Sequence, residues 1–178
     1  LGPWVPDEPD APPVALAVSG GGDSIALAWL AASWRKRLVA FVVDHGLRTE
    51  FADEAASALK TLAELGIPAE VLRVRDLPYG PALARRARDA RYEALISACR
   101  RVGAVDLVVA HQADDQVETV AMRQKRGSGP GLSGMAWISE RVDVRIVRPL
   151  LGCSRQALRN TLRKADVSWC DDPSNENE

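Results

Sequence analysis

The sequence predicts an α/β fold in which a twisted, mainly parallel sheet of about five strands carries helices on both faces. Short apolar runs alternate with stretches of helical periodicity, a pattern that favours parallel strands joined by helices. Several of the runs are apolar without interruption, as in strands that are covered on both faces. Glycines and polar side chains directly follow the runs, and ligands bind at that edge of such a sheet. We therefore expect one functional site at the carboxyl ends of the strands.

The elements of the first half follow from apolar runs and helix caps. An unbroken apolar run predicts a buried strand, and the uniformly apolar stretch after it predicts a buried helix. A second unbroken run predicts the next strand. The Thr49 hydroxyl can then cap a helix that Gly66 ends, and alternating residues predict a third strand. In chain order, these elements are the strand at 14–18, the helix at 24–33, the strand at 38–43, the helix between Thr49 and Gly66, and the strand at 69–74.

The second half continues the alternation. A long helical pattern is followed by an apolar strand, and a second helical pattern ends in a glycine-rich loop. A short apolar run then predicts the last strand, and the Ser154 hydroxyl can cap the last helix. In chain order, these elements are the helix at 81–102, the strand at 106–110, the helix at 114–126, the loop at 127–134, the strand at 144–147 and the helix at 155–164.

Composition bounds the class of protein. A chain of 178 residues fits a single domain, placed at residues 14–178 after an N-terminal extension over residues 1–13. Apolar residues make up 47% and charged residues 26%, which excludes disorder and collagen. No apolar run reaches the roughly 18 residues that a membrane span needs, so no membrane partner is expected. The three cysteines lack CxxC spacing, which favours the reducing cytoplasm.

The loop after the first strand is the strongest chemical signal. It consists of Ser19, Gly20, Gly21, Gly22, Asp23 and Ser24. Consecutive glycines expose backbone N–H groups, and the helix that follows adds its positive N-terminal end, so the loop suits a phosphate or a pyrophosphate. Asp23 inside such an anion site can hold Mg²⁺ against the phosphates. The alternative is a tight turn in which Asp23 caps the helix.

A second group of polar residues follows the strand at 106–110. On a helix, His111, Asp115 and Glu118 are spaced i, i+4 and i+7 and would share one face near its N-terminus. The alternative is that Asp114 and Asp115 cap the helix and offset its dipole. A zinc site is disfavoured because no second histidine or cysteine lies at metal-ligand spacing. After the second strand, His45 can either contact a nucleotide or satisfy its ring locally.

Arg91 interrupts the apolar stripe of the long helix. It lies four residues after Ala87 and four before Leu95, both of which belong to the buried face. A guanidinium on a buried face needs an anionic partner. That partner is either a protein carboxylate, in a structural salt bridge, or the carboxylate of a substrate at the edge of the sheet.

These segments resemble a known family. Ser-Gly-Gly-x-Asp-Ser after a first strand, as in residues 19–24, is the signature of the PP-loop ATP pyrophosphatases, which adenylate a carbonyl and release pyrophosphate. His111-Gln112-Ala113-Asp114-Asp115 resembles the pattern of the tRNA(Ile)-lysidine synthetases within that family. Further segments resemble the same pattern in the same order, at residues 44–48, 87–92, 126–129, 131–135, 148–151 and 172–175.

The resemblance implies a PP-loop ATPase fold, also called adenine nucleotide alpha hydrolase-like, and a cytoplasmic ligase of tRNA modification. In that family, ATP and Mg²⁺ adenylate the wobble cytidine of the isoleucine tRNA with a CAU anticodon, and L-lysine then replaces AMP to form lysidine. Another PP-loop enzyme such as a tRNA thiolase, or a non-catalytic nucleotide- or RNA-binding module, stays open as an alternative. Further tRNA-binding domains are expected to be absent from residues 1–178.

The resemblance also implies roles for individual residues. Residues 19–24 would bind ATP, with Asp23 on Mg²⁺. His111 and Asp115, together with Asp23, would be catalytic. Arg91, Asp115 and Glu118 would bind lysine. Arg148, which follows the last strand, could contact phosphate.

Overall fold

The structure is a computed structural model. It describes residues 7–44, 51–74, 80, 82–125 and 134–170, without the side chains of residues 51, 52, 84 and 125. Within this part, strands and helices alternate from β1 to α4, and a β-hairpin and a last helix follow. The strands are β1 (Val14–Val18), β2 (Leu38–Asp44), β3 (Ala69–Arg73), β4 (Asp106–Val108), β5 (Ile138–Arg141) and β6 (Val144–Val147), and the helices are α1 (Gly22–Trp34), α2 (Phe51–Glu64), α3 (Leu83–Val102), α4 (Ala113–Lys125) and α5 (Arg155–Lys164).

The strands form one sheet in the order β3-β2-β1-β4-β6-β5. All neighbours pair in parallel except β5 and β6, which are antiparallel. The predicted mainly parallel α/β sheet is confirmed, and its parallel strands are the predicted ones. The sequence analysis missed β5 because Ile138–Arg141 is a largely exposed edge strand without an apolar run.

The centre of the sheet is buried on both faces. Alternate residues of β1 point to opposite sides, as a pleated strand requires. Leu16 packs into an apolar cluster with α1, α2 and α5. Ala17 packs into a second cluster with Leu95 and Cys99 of α3. Helices α1 and α5 therefore lie on one face of the sheet and α3 lies on the other.

The helix boundaries follow the predicted caps with small differences. The Ser154 hydroxyl accepts a hydrogen bond from the Ala157 N–H at 3.3 Å, so the predicted cap of α5 is confirmed. Helix α1 begins at Gly22, two residues before the predicted start. Thr49, His45 and the loop at 127–133 lie outside the described residues. No helix in the described ranges is long and apolar enough to cross a membrane.

The order of the strands decides where a site forms. From β1 the chain continues to β2 and β3 on one side, whereas β4, β6 and β5 lie on the other side. The carboxyl ends of β1 and β4 are therefore adjacent at the point where the strand order reverses, which is where open α/β sheets bind ligands. Ser19 follows β1 directly, and His111 lies shortly after β4.

Candidate active site

A cavity of about 380 Å³ lies at the carboxyl ends of β1 and β4. It brings together predicted site residues that are far apart in the sequence. From the loop after β1 and the start of α1 come Ser19, Gly21, Gly22, Asp23 and Ser24. From α3, the segment after β4 and α4 come Arg91, His111 and Asp115.

The loop after β1 is held by its own serines and by one glycine with a positive φ. Gly20 has φ +93°, which a residue with a side chain rarely adopts. The Ser24 hydroxyl donates to the Gly21 carbonyl at 2.9 Å and accepts from the Ser19 N–H at 3.2 Å. A Cβ on Gly22 would lie 3.3 Å from the Trp169 ring, so this glycine allows a close approach of the chain.

Helix α1 begins at this loop without a side-chain cap. Its N-cap residue is Gly21, and no side chain in the described part of the chain supplies a capping hydrogen bond. The interpretation of Asp23 as a helix cap is therefore not supported. An uncapped N-terminus that lines a cavity is a favourable place for an anion, because its N–H groups and the helix dipole are available to the ligand.

The Asp23 carboxylate is poised for a cation. Its Oδ1 is buried and finds no hydrogen-bond partner among the described residues. Its Oδ2 lies 3.7 Å from Nε of Arg155. Burial raises the pKa of Asp23, the guanidinium of Arg155 opposes this shift, and the carboxylate of Asp115 adds to it.

These features fit Mg²⁺. Magnesium takes one or two protein carboxylates together with substrate phosphates and water, so a cage of many protein ligands is not required. The described residues contain no cluster of three or more His, Cys, Asp or Glu that could hold a metal by themselves. Asp23, which shares the cavity with Asp115, therefore suits a metal that arrives with a phosphate ligand.

The polar segment after β4 is built differently from the prediction. Helix α4 begins at Ala113, so His111 precedes the helix and the expected i, i+4, i+7 face is wrong for this residue. The Asp115 Oδ2 accepts from the Gln112 N–H at 2.9 Å, and Gln112 Oε1 accepts from the Asp114 N–H at 2.6 Å. Together, these two hydrogen bonds have the form of a capping box at the start of α4. Asp115 thus caps the helix with one oxygen and also lines the cavity.

Three predicted site residues lie outside the cavity lining drawn from the described residues, namely Gly20 within the loop after β1, Glu118 and Arg148. Glu118 is exposed on α4. Arg148 is buried, and its Nη1 donates to the Ala136 carbonyl and the Ser139 hydroxyl, both at 2.9 Å. Arg148 therefore holds β5 and the segment before it against β6, and this geometry does not support the expected phosphate contact.

The His111 imidazole is neutral at neutral pH. Burial lowers its pKa to about 4, and the nearby guanidinium of Arg148 acts in the same direction, whereas the carboxylate of Asp115 opposes the shift. The His111 Nδ1 is buried, and nothing within the described ranges hydrogen-bonds to it. The ring can therefore orient a ligand by a hydrogen bond or accept a proton, but it does not supply a positive charge.

We expect His111 to stay unprotonated down to about pH 5, since its pKa lies near 4. Because the imidazole has a lower pKa in the folded chain than in the unfolded chain, it favours the folded state at pH values above its ordinary pKa near 6.5. This contribution is lost as the pH falls from about 6.5 to 4. The free energy of unfolding should fall over this window, and less so in His111→Gln. Proton NMR titration of the imidazole C2–H signals checks the pKa, with His45→Gln used to assign the signals. A His111 signal that titrates near 6.5 would contradict the expectation.

The Arg91 guanidinium lines the cavity and carries a positive charge. Burial lowers the pKa of its guanidinium. Among the residues that the structure describes, no carboxylate lies within 4.0 Å of it, so the structural salt bridge finds no partner there.

The sequence analysis missed two arginines of the site. Arg155 and Arg159 of α5 also line the cavity. Both lie in the first half of a helix that follows a parallel strand, and their i, i+4 spacing places them on one helix face. That spacing, in a helix beginning at the ligand-binding edge of the sheet, is the signal that could have identified them.

Asp114 connects the two helices that begin at the site. Its Oδ2 accepts from the Arg155 N–H, in the first turn of α5, at 3.1 Å. Replacement by alanine should lower the free energy of unfolding by about 1 kcal/mol, as the loss of a helix cap does. Thermal unfolding should then shift down by about 2–4 °C for a chain of this size. Asp89→Ala, at an exposed site on α3, is the matched control. An unchanged melting temperature in Asp114→Ala would show that the contact contributes nothing.

A doubly wound sheet with a glycine-rich, uncapped anion loop after its first strand defines a phosphate-binding α/β domain. The family model described as PP-loop domain matches residues 5–178, so the chain belongs to that family. Curated relatives named tRNA(Ile)-lysidine synthase include the protein of Bradyrhizobium diazoefficiens, 46% identical over 93% of this chain and 48% of the relative. The one of Ruegeria pomeroyi is 45% identical over 90% of this chain and 40% of the relative. The chain thus spans about half the length of the curated relatives that it matches.

Solved structures support the fold. The U34-tRNA thiolase NcsA from Methanococcus maripaludis, with its [4Fe-4S] cluster, superposes with a TM-score of 0.77 at 20% identity and covers 91% of this chain and 60% of its own. The NH3-dependent NAD synthetase from Campylobacter jejuni superposes with a TM-score of 0.60 at 14% identity, covering 87% of this chain and 64% of its own. At these identities the likeness concerns the fold alone.

Proposed function

We propose that this chain carries the catalytic site of a tRNA(Ile)-lysidine synthetase. The reaction is the ATP-dependent ligation of lysine to C2 of the wobble cytidine in the isoleucine tRNA with a CAU anticodon. The observation that carries the proposal is the shared cavity, in which the anion loop with Asp23 faces the same space as Arg91, His111 and Asp115. The names of the curated relatives support the same activity.

The ATP half of the site is the loop and the N-terminus of α1. The N–H groups of the uncapped helix would bind the phosphates, and the Ser19–Ser24 hydrogen bonds hold the loop in shape. Asp23 would hold Mg²⁺, which neutralises phosphate charge when it is bound.

The first chemical step is adenylation. The C2 carbonyl oxygen of the cytidine attacks the α-phosphorus of ATP, an oxygen–phosphorus bond forms, and the bond to the β-phosphate oxygen breaks to release pyrophosphate. An amine cannot displace the carbonyl oxygen itself, since that oxygen is a poor leaving group. Adenylation converts it into part of a phosphate ester, which leaves readily.

The second step joins lysine to the base. The neutral side-chain amine attacks C2, a carbon–nitrogen bond forms, and the bond from C2 to oxygen breaks to release AMP. The amine loses a proton in the process. Asp115 and the neutral imidazole of His111 line the cavity where this proton can be accepted or the amine oriented.

Lysine would be held at its two ends by opposite charges. Arg91, which has no carboxylate within salt-bridge distance in the described ranges, would pair with the lysine carboxylate. The Asp115 carboxylate would bind an amino group of lysine. A lysine contact by Glu118 rests on the family resemblance, since this residue is exposed on α4.

The free thiols of Cys99, Cys153 and Cys170 favour a cytoplasmic enzyme.

Nucleoside analysis tests the proposed activity. The chain is incubated with ATP, Mg²⁺, radiolabelled lysine and isoleucine tRNA with a CAU anticodon, and the tRNA is digested to nucleosides. Label is expected in lysidine, and isoleucine tRNA with a GAU anticodon, which lacks a wobble cytidine, is the control. RNA-dependent pyrophosphate release that leaves no lysine label in the nucleosides, or no RNA-dependent pyrophosphate release, would overturn the proposal.

A further inference from the structure

Helix α5 brings two guanidinium groups to the cavity beside the anion loop. The Ser154 cap starts the helix, and the buried side chains Leu158 and Leu162 hold its apolar face against the core. Arg155 and Arg159 lie one turn apart and both line the cavity. The packing of the helix therefore places two cations at the ligand-binding edge of the sheet.

The two arginines lie on the ATP side of the cavity. Helices α5 and α1 share one apolar cluster on the same face of the sheet, whereas α3 and Arg91 belong to the opposite face. A Cβ on Gly22 would lie 3.6 Å from the Arg159 Cγ, so the stem of this arginine runs along the start of α1. Arg159 is thus adjacent to the helix N-terminus that would bind the anion.

Arg155 is paired with the residue that suits the metal. Its Nε lies 3.7 Å from the Asp23 Oδ2, and these side chains are 30% and 26% exposed. The long distance and the partial exposure make this a weak pair. Phosphate oxygens in the cavity would offer the guanidinium shorter, charge-assisted hydrogen bonds.

We infer that Arg155 and Arg159 bind the β- and γ-phosphates of ATP, and that Arg155 exchanges Asp23 for phosphate when the nucleotide binds. The two arginines then hold the pyrophosphate that leaves in the adenylation step. The exchange releases the Asp23 carboxylate for Mg²⁺ at the moment when the phosphates arrive. This inference rests on the proposed function, because ATP supplies the phosphates.

Equilibrium binding tests the two arginines without reference to turnover. Isothermal titration calorimetry with ATP, inorganic pyrophosphate and AMP is carried out on the wild-type chain and on Arg155→Gln, Arg159→Gln and Lys164→Gln. Lys164 lies on the same helix and is exposed, so its replacement removes the same charge away from the cavity. Each arginine variant should bind ATP and pyrophosphate about tenfold or more weakly, as for a lost charge-assisted hydrogen bond. AMP binding, and all binding by Lys164→Gln, should stay within about twofold of the wild type.

If Arg155 exchanges Asp23 for phosphate, replacing Asp23 should change the affinity for pyrophosphate in the opposite direction to replacing Arg155 when no metal is present. In buffer with a chelator, Asp23→Asn should bind pyrophosphate more tightly than the wild type, since it removes both a repelling carboxylate and the competitor for Arg155. In the Arg155→Gln background, Asp23→Asn should increase the affinity for pyrophosphate by a smaller factor than it does in the wild type, because no Arg155 is released. The effects of the two substitutions on the binding free energy should therefore not add. With Mg²⁺ present, Asp23→Asn should bind pyrophosphate more weakly than the wild type.

The outcomes separate this inference from the proposed function. If the wild type binds ATP and the arginine variants bind it equally well, the inference is wrong and the proposed function stands. If the wild type binds neither ATP nor pyrophosphate, both are wrong. Arg155→Lys, which keeps the charge, should recover part of the affinity. The melting temperature of each arginine variant should match that of Lys164→Gln, which shows that weak binding comes from the lost contact and not from a disturbed fold.

Discussion

Asp23→Asn is expected to abolish pyrophosphate release while the fold stays intact. The substitution removes the carboxylate that suits Mg²⁺ at the place where phosphate charge develops. Preorganised electrostatic groups of this kind contribute roughly 10²–10³-fold to the rate. RNA-dependent pyrophosphate release at saturating ATP, measured with Mg²⁺ and CAU-anticodon tRNA, is the readout.

Stability is the control for this variant. Because burial raises the pKa of Asp23, the ionised carboxylate destabilises the folded chain above the ordinary carboxyl range, and the neutral amide removes this cost. The melting temperature at neutral pH should therefore stay the same or rise. Asp53→Asn, at an exposed site in the first turn of α2, is the matched control and should leave turnover unchanged. Normal turnover by Asp23→Asn would exclude the assigned role.

Arg91→Ala is expected to raise the KM for lysine much more than the KM for ATP. A lost charge-assisted pair costs about 1.5–3 kcal/mol, which corresponds to roughly ten- to a hundredfold. The effect should be selective because Arg91 comes from α3, on the face of the sheet opposite to α1. Steady-state kinetics with lysine and ATP varied separately measure both constants.

Packing must be separated from charge in this experiment. Arg91→Met keeps most of the apolar volume of the side chain and removes the charge, so it should show the same lysine defect with less loss of stability. Arg85→Ala removes an exposed arginine from the same helix and should change neither constant. If Arg91→Ala unfolds at lower temperature but keeps its affinity for lysine, the side chain has a structural role.

Local signals in the sequence were sufficient to predict the parallel strands and the helices between them. Apolar runs specified four of the parallel strands because buried strands leave little freedom in residue type, alternating residues specified β3, and the Ser154 cap marked the start of α5. Edge strand β5 was missed because an exposed strand has no apolar requirement. The anion loop was also recognisable, since three consecutive glycines precede Asp23 directly, and the structure confirms that Gly20 adopts a positive φ.

The arrangement of the second half of the site depended on tertiary structure. His111 was expected on a helix, but the capping pair of Gln112 and Asp115 starts α4 after it. Glu118 was expected in the site and is exposed, because the way a helix packs decides which of its faces meets the cavity. Helical spacing alone does not contain that information.

By itself, the sequence determined the order of the elements, the parallel sheet and the loop with Asp23, because each depends on contacts within a few residues or on burial that the pattern displays. Tertiary structure decided which distant side chains share the cavity. Arg91 enters from one face of the sheet, and Arg155 and Arg159 enter from the other. Their meeting depends on how three helices pack around the ends of β1 and β4, and packing of this kind is specified by the whole core rather than by any one segment.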